Sequence, residues 1–277
     1  LPTTVTGPPR SGAVALRGDI SSQFVTALML IGPLLPGGLR LALTTPLVSR
    51  PYVELTAAVM GWFGVDGVAV EDAAVSVPTG TYRPCDVAIE PDASSASYPL
   101  AVAAVTGGSV EIAGLGDGAL QGDARFADVL AAMGCRVDRT TDAVRVAGTG
   151  ELRGIDLDMA DISDLVPSLA VVAACAATPS RIRGVGFIRE KESDRLGDLA
   201  AELRSAGVEI EATEDGLDIG PSRDALRPAR LATHHDHRLA MAFGVLGSAV
   251  DGIEVEDPGV VSKSWPGFWT MLDGLHR

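Results

Sequence analysis

Aromatic side chains are scarce in this sequence: they make up 4% of its 277 residues, whereas apolar residues make up 47%. A globular chain of this length can bury roughly three quarters of the surface that it exposes when unfolded. The core must therefore be built mainly from Ala, Val, Leu and Ile, which favour close packing of helices and sheets. The length fits one large domain or two of ordinary size.

Cysteines and long apolar runs are also few. The three cysteines, Cys85, Cys135 and Cys175, are widely spaced in apolar surroundings and form no Cys-x-x-Cys or Cys/His pattern. We predict three buried, reduced thiols and no metal. No apolar run approaches the length of a membrane span, and the start of the chain lacks the core of a signal peptide. We expect a cytoplasmic protein, and the initial Leu1 suggests that the natural start lies elsewhere.

Positive charge is in short supply as well. The chain has 22 basic and 36 acidic residues, which gives a formal net charge of −14. Such a surface repels nucleic acid and anionic membranes, so neither is an expected partner. A local group of Arg and Lys can still bind a small anion within an acidic protein. The positions of these groups therefore matter more than the total charge.

The chain contains a repeated unit of helix, glycine turn and strand. Three amphipathic helices of this kind are predicted within residues 52–70, 125–137 and 194–210. Glycine suits the left-handed conformation that closes a helix. The turn glycines recur at a nearly constant spacing, as Gly64, Gly134 and Gly207.

A second series of helices alternates with the first. These helices begin with polar residues at positions 21–23, 94–97, 161–164 and 236–238, and each continues in a nearly unbroken apolar run. A helix that is apolar on nearly every side is buried on every side. Short strands are predicted at residues 39–43, 109–112, 143–146, 180–182 and 253–255. Four such units predict an α/β fold in which sheets surround buried helices, rather than a solenoid.

Two helix starts carry cations, which the partial positive charge of a helix N-terminus disfavours. Lys191 and Arg195 precede one helix, and Arg238 follows Asp236 at the start of another. A phosphate or carboxylate held jointly by arginine and helix N–H groups would resolve the conflict. Pairing of Arg195 with the adjacent Asp194, and of Arg238 with Asp236, is the structural alternative. The residues alone leave both interpretations open.

Other polar residues near helix starts also have an ordinary explanation. Ser21 and Ser22 are typical N-cap residues. Asp164 fits either a structural carboxylate or a base that faces a cleft. Lys263 precedes a helix initiated by Pro266, although a solvated loop residue is the default interpretation.

Taken together, these segments resemble the 5-enolpyruvylshikimate-3-phosphate synthase family, in order and through nearly the whole chain. The matching segments are residues 18–24, 47–52, 92–96, 121–123, 191–195, 236–238 and 262–266. The resemblance implies an inside-out α/β barrel with two domains of three βαβ-type units each, and substrates in the cleft between them. Four of the six units would be present. Residues 1–90 would be the remaining unit of the first domain, and residues 91–277 the second domain.

The sequence departs from the family in two respects. Earlier segments of the family, including a Lys-Ser pair and a glycine-rich loop, have no counterpart here, and Phe187 stands where the family commonly has Asn. The resemblance therefore predicts either an altered site or a separate chain that supplies the N-terminal units. Without such a partner, a monomer is expected.

The reaction implied by the resemblance belongs to the biosynthesis of aromatic amino acids. It transfers the enolpyruvyl group of phosphoenolpyruvate to the 5-hydroxyl of shikimate 3-phosphate and releases phosphate, without a metal or organic cofactor. Asp164 would accept the hydroxyl proton, and Glu192 would act in proton transfer at the methylene carbon. The substrate-binding residues would be Ser21, Ser22, Gln23, Ser49, Tyr52 and Lys191 for shikimate 3-phosphate, and Arg195, Arg238 and Lys263 for phosphoenolpyruvate.

Three other functions remain open from the sequence. A UDP-N-acetylglucosamine enolpyruvyl transferase shares the architecture, but the Ser-Ser-Gln and Lys-Glu-x-Asp-Arg segments favour the shikimate branch. A homologue that acts on another phosphorylated cyclohexene acid would be consistent with Phe187. The third alternative is a non-catalytic fragment or binding module that keeps the phosphate site.

Overall fold

A computed structural model describes residues 2–4, 6–7 and 12–275 of the chain. The chain divides into two compact units, Leu1–Ile89 and Glu90–Arg277. Each unit has its own cluster of buried apolar side chains. The two units therefore have separate cores.

The first unit combines a four-stranded sheet with two helices. Its elements are β1 (Gly12–Leu16), α1 (Ser22–Ile31), β2 (Leu39–Leu43), α2 (Arg50–Trp62), β3 (Ala69–Val70) and β4 (Ala74–Val77). The strands lie in the order β1-β2-β4-β3, in which β1 is parallel to β2 and the other pairs are antiparallel. The segment β1-α1-β2 is thus a βαβ unit.

The second unit is built around three helices, α3, α5 and α7, that pack on one another. Its elements are α3 (Ala93–Thr106), β5 (Ser109–Ala113), α4 (Phe126–Ala132), β6 (Arg136–Arg139), β7 (Ala143–Ala147), β8 (Asp156–Asp158), α5 (Val166–Ala174), β9 (Ser180–Arg183), α6 (Gly197–Ser205), β10 (Ile210–Ala212), β11 (Leu217–Ile219), β12 (Ala229–Leu231), α7 (His237–Gly247), β13 (Ile253–Val255) and α8 (Phe268–Leu275).

Three small sheets belong to this second unit. Their strand orders are β5-β7-β6, β8-β9-β11-β10 and β12-β13. The pairs β8–β9 and β12–β13 are parallel, and each is connected through a buried helix, α5 or α7. Two further βαβ units result. The strand β5 follows α3 directly, and among the described residues it pairs only with β7.

Small side chains allow the three central helices to approach one another. Every residue of α5 is buried, and its sequence is mainly Ala and Val. The one hydroxyl of this helix, on Ser168, lies 2.9 Å from the hydroxyl of Ser97 in α3. This pairing satisfies two polar groups that burial would otherwise leave without water.

The strands, amphipathic helices and turn glycines predicted from the sequence are confirmed. The predicted strands correspond to β2, β5, β7, β9 and β13, and the amphipathic helices to α2, α4 and α6. Gly64, Gly134 and Gly207 all have positive φ, at 87°, 107° and 95°. At Gly207 a Cβ atom would also lie 2.1 Å from the Ala225 carbonyl oxygen, so a side chain there has no room.

The prediction that all four apolar helices are buried on every side is wrong for α1. This helix buries Ser22, Val25 and Met29, but Phe24 is 57% exposed and Leu30 is 47% exposed. Among the described residues of its unit, α1 packs mainly against one α-helix, α2. One neighbouring helix covers only part of an apolar surface that extends around α1.

The prediction for the cysteines is correct for Cys135 and Cys175, which are buried, and wrong for Cys85, which is exposed. Cys85 lies in the extended segment between β4 and α3, and its thiol donates a hydrogen bond to the Trp62 carbonyl oxygen over 3.2 Å. Apolar neighbours in sequence do not bury a residue in a connecting segment, because such segments run over the surface.

Leu169→Ala should lower the free energy of unfolding of the second unit by about 2–5 kcal/mol, since it opens a cavity between closely packed helices. Leu169 is fully buried in α5, whereas Leu120 is 44% exposed. Leu120→Ala is therefore the control and should change the free energy by less than about 0.5 kcal/mol. Urea unfolding followed by the fluorescence of Trp265 and Trp269 measures both. Equal effects would contradict the central position of α5.

Candidate active site

Charged residues of the second unit gather where several helices begin. Asp164 lies in the turn before α5, and Glu192 and Arg195 lie in the segment before α6. Asp236 is the N-cap of α7, and Lys263 ends the 3₁₀ turn Pro258–Lys263. These segments are far apart in sequence, yet their side chains are joined by hydrogen bonds.

The guanidinium of Arg195 is the centre of this group. It is 1% exposed and donates hydrogen bonds to three carboxylates. Its Nε donates to Asp236 Oδ2 over 2.7 Å, its Nη1 to Asp164 Oδ1 over 3.0 Å, and its Nη2 to Glu192 Oε2 over 2.5 Å. A buried charge requires such partners, because removal from water is costly for an unpaired ion.

Two further cations complete the network. Arg238 Nη2 donates to Asp164 Oδ2 over 2.6 Å, and the Arg238 backbone N–H donates to Asp236 Oδ1 over 2.8 Å. Lys263 Nζ donates to Glu192 Oε1. The group then balances three cations against three carboxylates. Its members are Arg195, Arg238, Lys263, Asp164, Glu192 and Asp236.

The alternative prediction, in which each arginine pairs with the aspartate beside it in sequence, is wrong for the Arg195 side chain. Asp194 instead accepts from Arg189 Nη1 over 2.8 Å and caps the start of α6, where it accepts from the Gly197 N–H over 2.9 Å. Asp236 accepts from the Arg195 side chain, 41 positions away, and from the backbone N–H of Arg238. Side-chain direction at the helix starts decides these pairings.

The surrounding cations lower the pKa of both candidate catalytic carboxyls. Burial by itself raises the pKa of Asp164, but Arg238, Arg195 and Lys191 outweigh it and hold the pKa below its ordinary value. Burial also acts to raise the pKa of Glu192, yet the hydrogen bond from Lys263 and the charge of Arg195 bring it to about 2. Both carboxyls are therefore ionised near neutral pH in this arrangement.

Lys191 has a different environment from the other cations. Its Nζ lies over the Phe187 ring, 5.8 Å from the ring centroid. Among the described residues, no carboxylate lies within ion-pair distance of this ammonium. The charge of Lys191 nevertheless acts on Asp164, whose pKa it lowers.

The candidate substrate-binding residues of the first unit lie at the starts of α1 and α2, and a hydrogen bond joins the loops before these two helices. Ser21 caps α1, where its hydroxyl accepts from the Gln23 N–H over 3.3 Å, and Ser49 precedes α2 with a φ of 52°. The Val48 N–H donates to the Gly18 carbonyl oxygen over 3.0 Å and joins the two loops. Burial then separates the candidates: Ser22 and Ser49 are buried, Ser21 and Tyr52 are partly buried, and Gln23 is exposed.

Two buried side chains beside the network were not predicted. The hydroxyl of Tyr98 is buried close to Arg238, and burial raises its pKa to about 12 although the charge of Arg238 acts to lower it. Burial lowers the pKa of His237, and the charge of Arg238 lowers it further. A polar ring within a run of small apolar residues was the only sequence signal for Tyr98.

The described parts of the chain contain no group of His, Cys, Asp and Glu side chains suited to a metal ion. Over residues 2–4, 6–7 and 12–275, no helix combines the length and apolarity needed to cross a membrane.

Solved structures with the same fold define the class to which this architecture belongs. EPSP synthase from Acinetobacter baumannii matches with a TM-score of 0.78 and 25% identity, over 96% of this chain and 62% of that one. The enolpyruvyl transferase NikO from Streptomyces tendae matches with a TM-score of 0.74 and 22% identity, over 95% of this chain and 63% of that one. The fold is thus the α/β fold of the enolpyruvyl transferases.

Sequence comparison identifies the family. The model for EPSP synthase (3-phosphoshikimate 1-carboxyvinyltransferase) matches residues 1–272. The 3-phosphoshikimate 1-carboxyvinyltransferase of Methanoculleus marisnigri is 45% identical over 274 residues, 99% of this chain and 64% of that protein. That of Methanosphaerula palustris is 43% identical over 98% of this chain and 64% of that protein. The chain belongs to the EPSP synthase family and spans just under two thirds of the length of these relatives.

Asp236→Ala should lower the free energy of unfolding by about 3 kcal/mol, the lower end of the range for breaking a buried ion pair, because Arg195 keeps Asp164 and Glu192. The control is Asp218→Ala, since Asp218 pairs with Arg181 at an exposed site where the side chains are 41% and 57% accessible. Its loss should cost at most about 1 kcal/mol. Urea titration of both variants makes the comparison, and similar costs would contradict the central role of Arg195.

Proposed function

We propose that this chain takes part in the transfer of the enolpyruvyl group of phosphoenolpyruvate to the 5-hydroxyl of shikimate 3-phosphate, with release of phosphate. The observation that carries this proposal is the balanced group of cations and carboxylates at the helix starts of the second unit. Membership of the EPSP synthase family supports it. The residue ranges 1–90 and 91–277 would then be one unit of the first domain and the whole second domain.

Arg195, Arg238 and Lys263 are the proposed ligands of phosphoenolpyruvate. All three carry side-chain donors already directed at carboxylates. The carboxylate and phosphate of an incoming substrate present the same kind of acceptor, so they can replace Asp164 and Glu192 as partners. Positive charge held in place before the reaction stabilises negative charge that develops in the transition state.

Exchange of partners also prepares Asp164 and Glu192 for acid–base chemistry. While they are paired with these cations, their pKa values are too low for either group to hold a proton near neutral pH. When substrate anions draw away the cations, the pKa of each carboxyl rises, because an opposite charge favours the ionised form. Asp164 then accepts the proton of the 5-hydroxyl, and Glu192 acts in proton transfer at the methylene carbon of phosphoenolpyruvate.

Shikimate 3-phosphate is the proposed ligand of the remaining candidates. Ser21, Ser22 and Ser49 offer hydroxyl groups and helix N–H groups, which together suit a phosphate. Lys191 is a further proposed phosphate ligand. Gln23 and Tyr52 are proposed to contact the ring of the substrate.

Two surfaces support the proposal that catalysis needs additional protein. The helix α1 exposes Phe24 and Leu30. Over the residues that the structure describes, β5 has no parallel neighbour of the kind that β2, β9 and β13 have in β1, β8 and β12. We propose that a segment equivalent to the extra length of the relatives covers these surfaces, whether it belongs to the same protein or to a separate chain. Otherwise we expect a monomer. Three free thiols fit a reducing cytoplasm.

Release of phosphate from phosphoenolpyruvate and shikimate 3-phosphate tests the proposed reaction. We expect turnover when the chain is combined with the N-terminal third of the Methanoculleus marisnigri relative, and little or none from either piece alone. A variant of this chain with Phe24→Ser and Leu30→Ser, which reduce the apolar surface of α1, should combine less well with that N-terminal third. No turnover under any combination, with binding of shikimate 3-phosphate retained, would favour a non-catalytic binding module.

Two variants separate binding from chemistry in the active combination. Arg238→Ala should weaken binding of phosphoenolpyruvate by roughly 1.5–3 kcal/mol, since it removes a charged hydrogen-bond donor. Asp164→Ala should lower turnover more than it weakens binding. Calorimetry and single-turnover phosphate release give the two quantities. Unchanged affinity in the first variant, or wild-type turnover in the second, would remove that residue from its proposed role.

A further inference from the structure

Lys191 is the exception in a group of cations that are otherwise paired with carboxylates. Arg195, Arg238 and Lys263 all donate to Asp164 or Glu192. The Nζ atom of Lys191 instead lies over an aromatic face, 5.8 Å from the centroid of the Phe187 ring. An anion can therefore reach this ammonium without first displacing a carboxylate.

Local structure places the ring beneath the ammonium. Phe187 lies in the 3₁₀ turn Gly186–Glu190, and Lys191 follows as the C-cap of that turn. One side of Phe187 packs against the apolar core of the second unit, so the ring has a support. The distance of 5.8 Å falls within the range in which the ring face attracts a cation.

We propose that Phe187 is a positioning residue for Lys191, whose ammonium it holds over its face while leaving the positive charge available to a phosphate. This inference rests on the proposed function, in which Lys191 binds the phosphate of a phosphorylated acid. A carboxylate at position 187 would hold the ammonium more strongly but would neutralise it. The ring attracts the cation through its quadrupole and adds no charge of its own.

Holding the Lys191 ammonium over the ring is useful because several carboxylates lie close to Lys191 in sequence. Glu190, Glu192 and Asp194 are all within three positions of Lys191, and a long lysine side chain is free to adopt many rotamers. Held over the ring, the ammonium stays near Asp164 and lowers the pKa of that carboxyl. Without the ring, more rotamers become accessible, and a phosphate must select the productive one.

The contact itself can be tested without any ligand. In the wild-type chain, nuclear magnetic resonance should show the ε-methylene protons of Lys191 shifted upfield by the ring current of Phe187. Phe187→Leu should abolish this shift, whereas Phe187→Tyr, the matched control, should keep it. Lys191→Met assigns the signal. Absence of the upfield shift in the wild-type chain overturns the proposal.

Titration with inorganic phosphate then tests the consequence for binding. Phosphate has no ring to stack on Phe187, so any effect must pass through the protein. Phe187→Leu should weaken phosphate binding about two- to fivefold, and Phe187→Tyr should bind as wild type does. In a Lys191→Met background, Phe187→Leu should cause no further loss. Equal affinity of the Leu and Tyr variants, or a further loss in the Lys191→Met background, overturns the proposal.

Two controls separate this inference from other failures. Urea unfolding of Phe187→Leu and Phe187→Tyr should give similar midpoints, so that the loss of binding is not a loss of fold. A failure of the proposed function appears differently: the wild-type chain then binds no phosphorylated acid. The ring-current shift and its loss in Phe187→Leu still decide whether the ring holds the ammonium.

Discussion

The enclosed charge of Arg195 is the constraint on which the site depends. A guanidinium that is 1% exposed must be surrounded by acceptors, and the three that it uses come from the starts of different helices. The beginnings of α5, α6 and α7 must therefore converge on one point. Replacement of such a group by apolar residues is often neutral or stabilising. A network of this kind is thus better explained by the geometry it imposes than by the stability it adds.

Electrical balance follows from the same constraint and shapes the proposed chemistry. Asp164 and Glu192 both accept a hydrogen bond from Arg195. Each also accepts from a second cation, which is Arg238 for Asp164 and Lys263 for Glu192. This arrangement keeps both carboxyls ionised and both cations in place until another anion arrives. Substrates that carry carboxylate and phosphate groups are the natural competitors, because they exchange one ion pair for another. Lys191, held over an aromatic ring, is the cation that needs no such exchange.

Repetition of one supersecondary unit accounts for most of the remaining architecture. Three parallel strand pairs, β1–β2, β8–β9 and β12–β13, each enclose a helix. The fourth helix of the series, α3, is followed by β5 without a parallel strand before it among the described residues. Residues of β5 and apolar residues of α1 are exposed.

The sequence by itself determined the repeat, because local patterns carry it: apolar runs specify buried helices, and glycines at positive φ close the amphipathic ones. It also indicated that two helix starts are unusual, because cations there are disfavoured by the helix dipole. Only the tertiary structure decided which charges meet. Arg195 pairs with Asp236, 41 positions away, and not with Asp194 beside it. The exposure of Cys85 and of part of α1 was likewise decided by neighbours in space. A pattern along the chain shows that a surface is apolar but not which residues cover it.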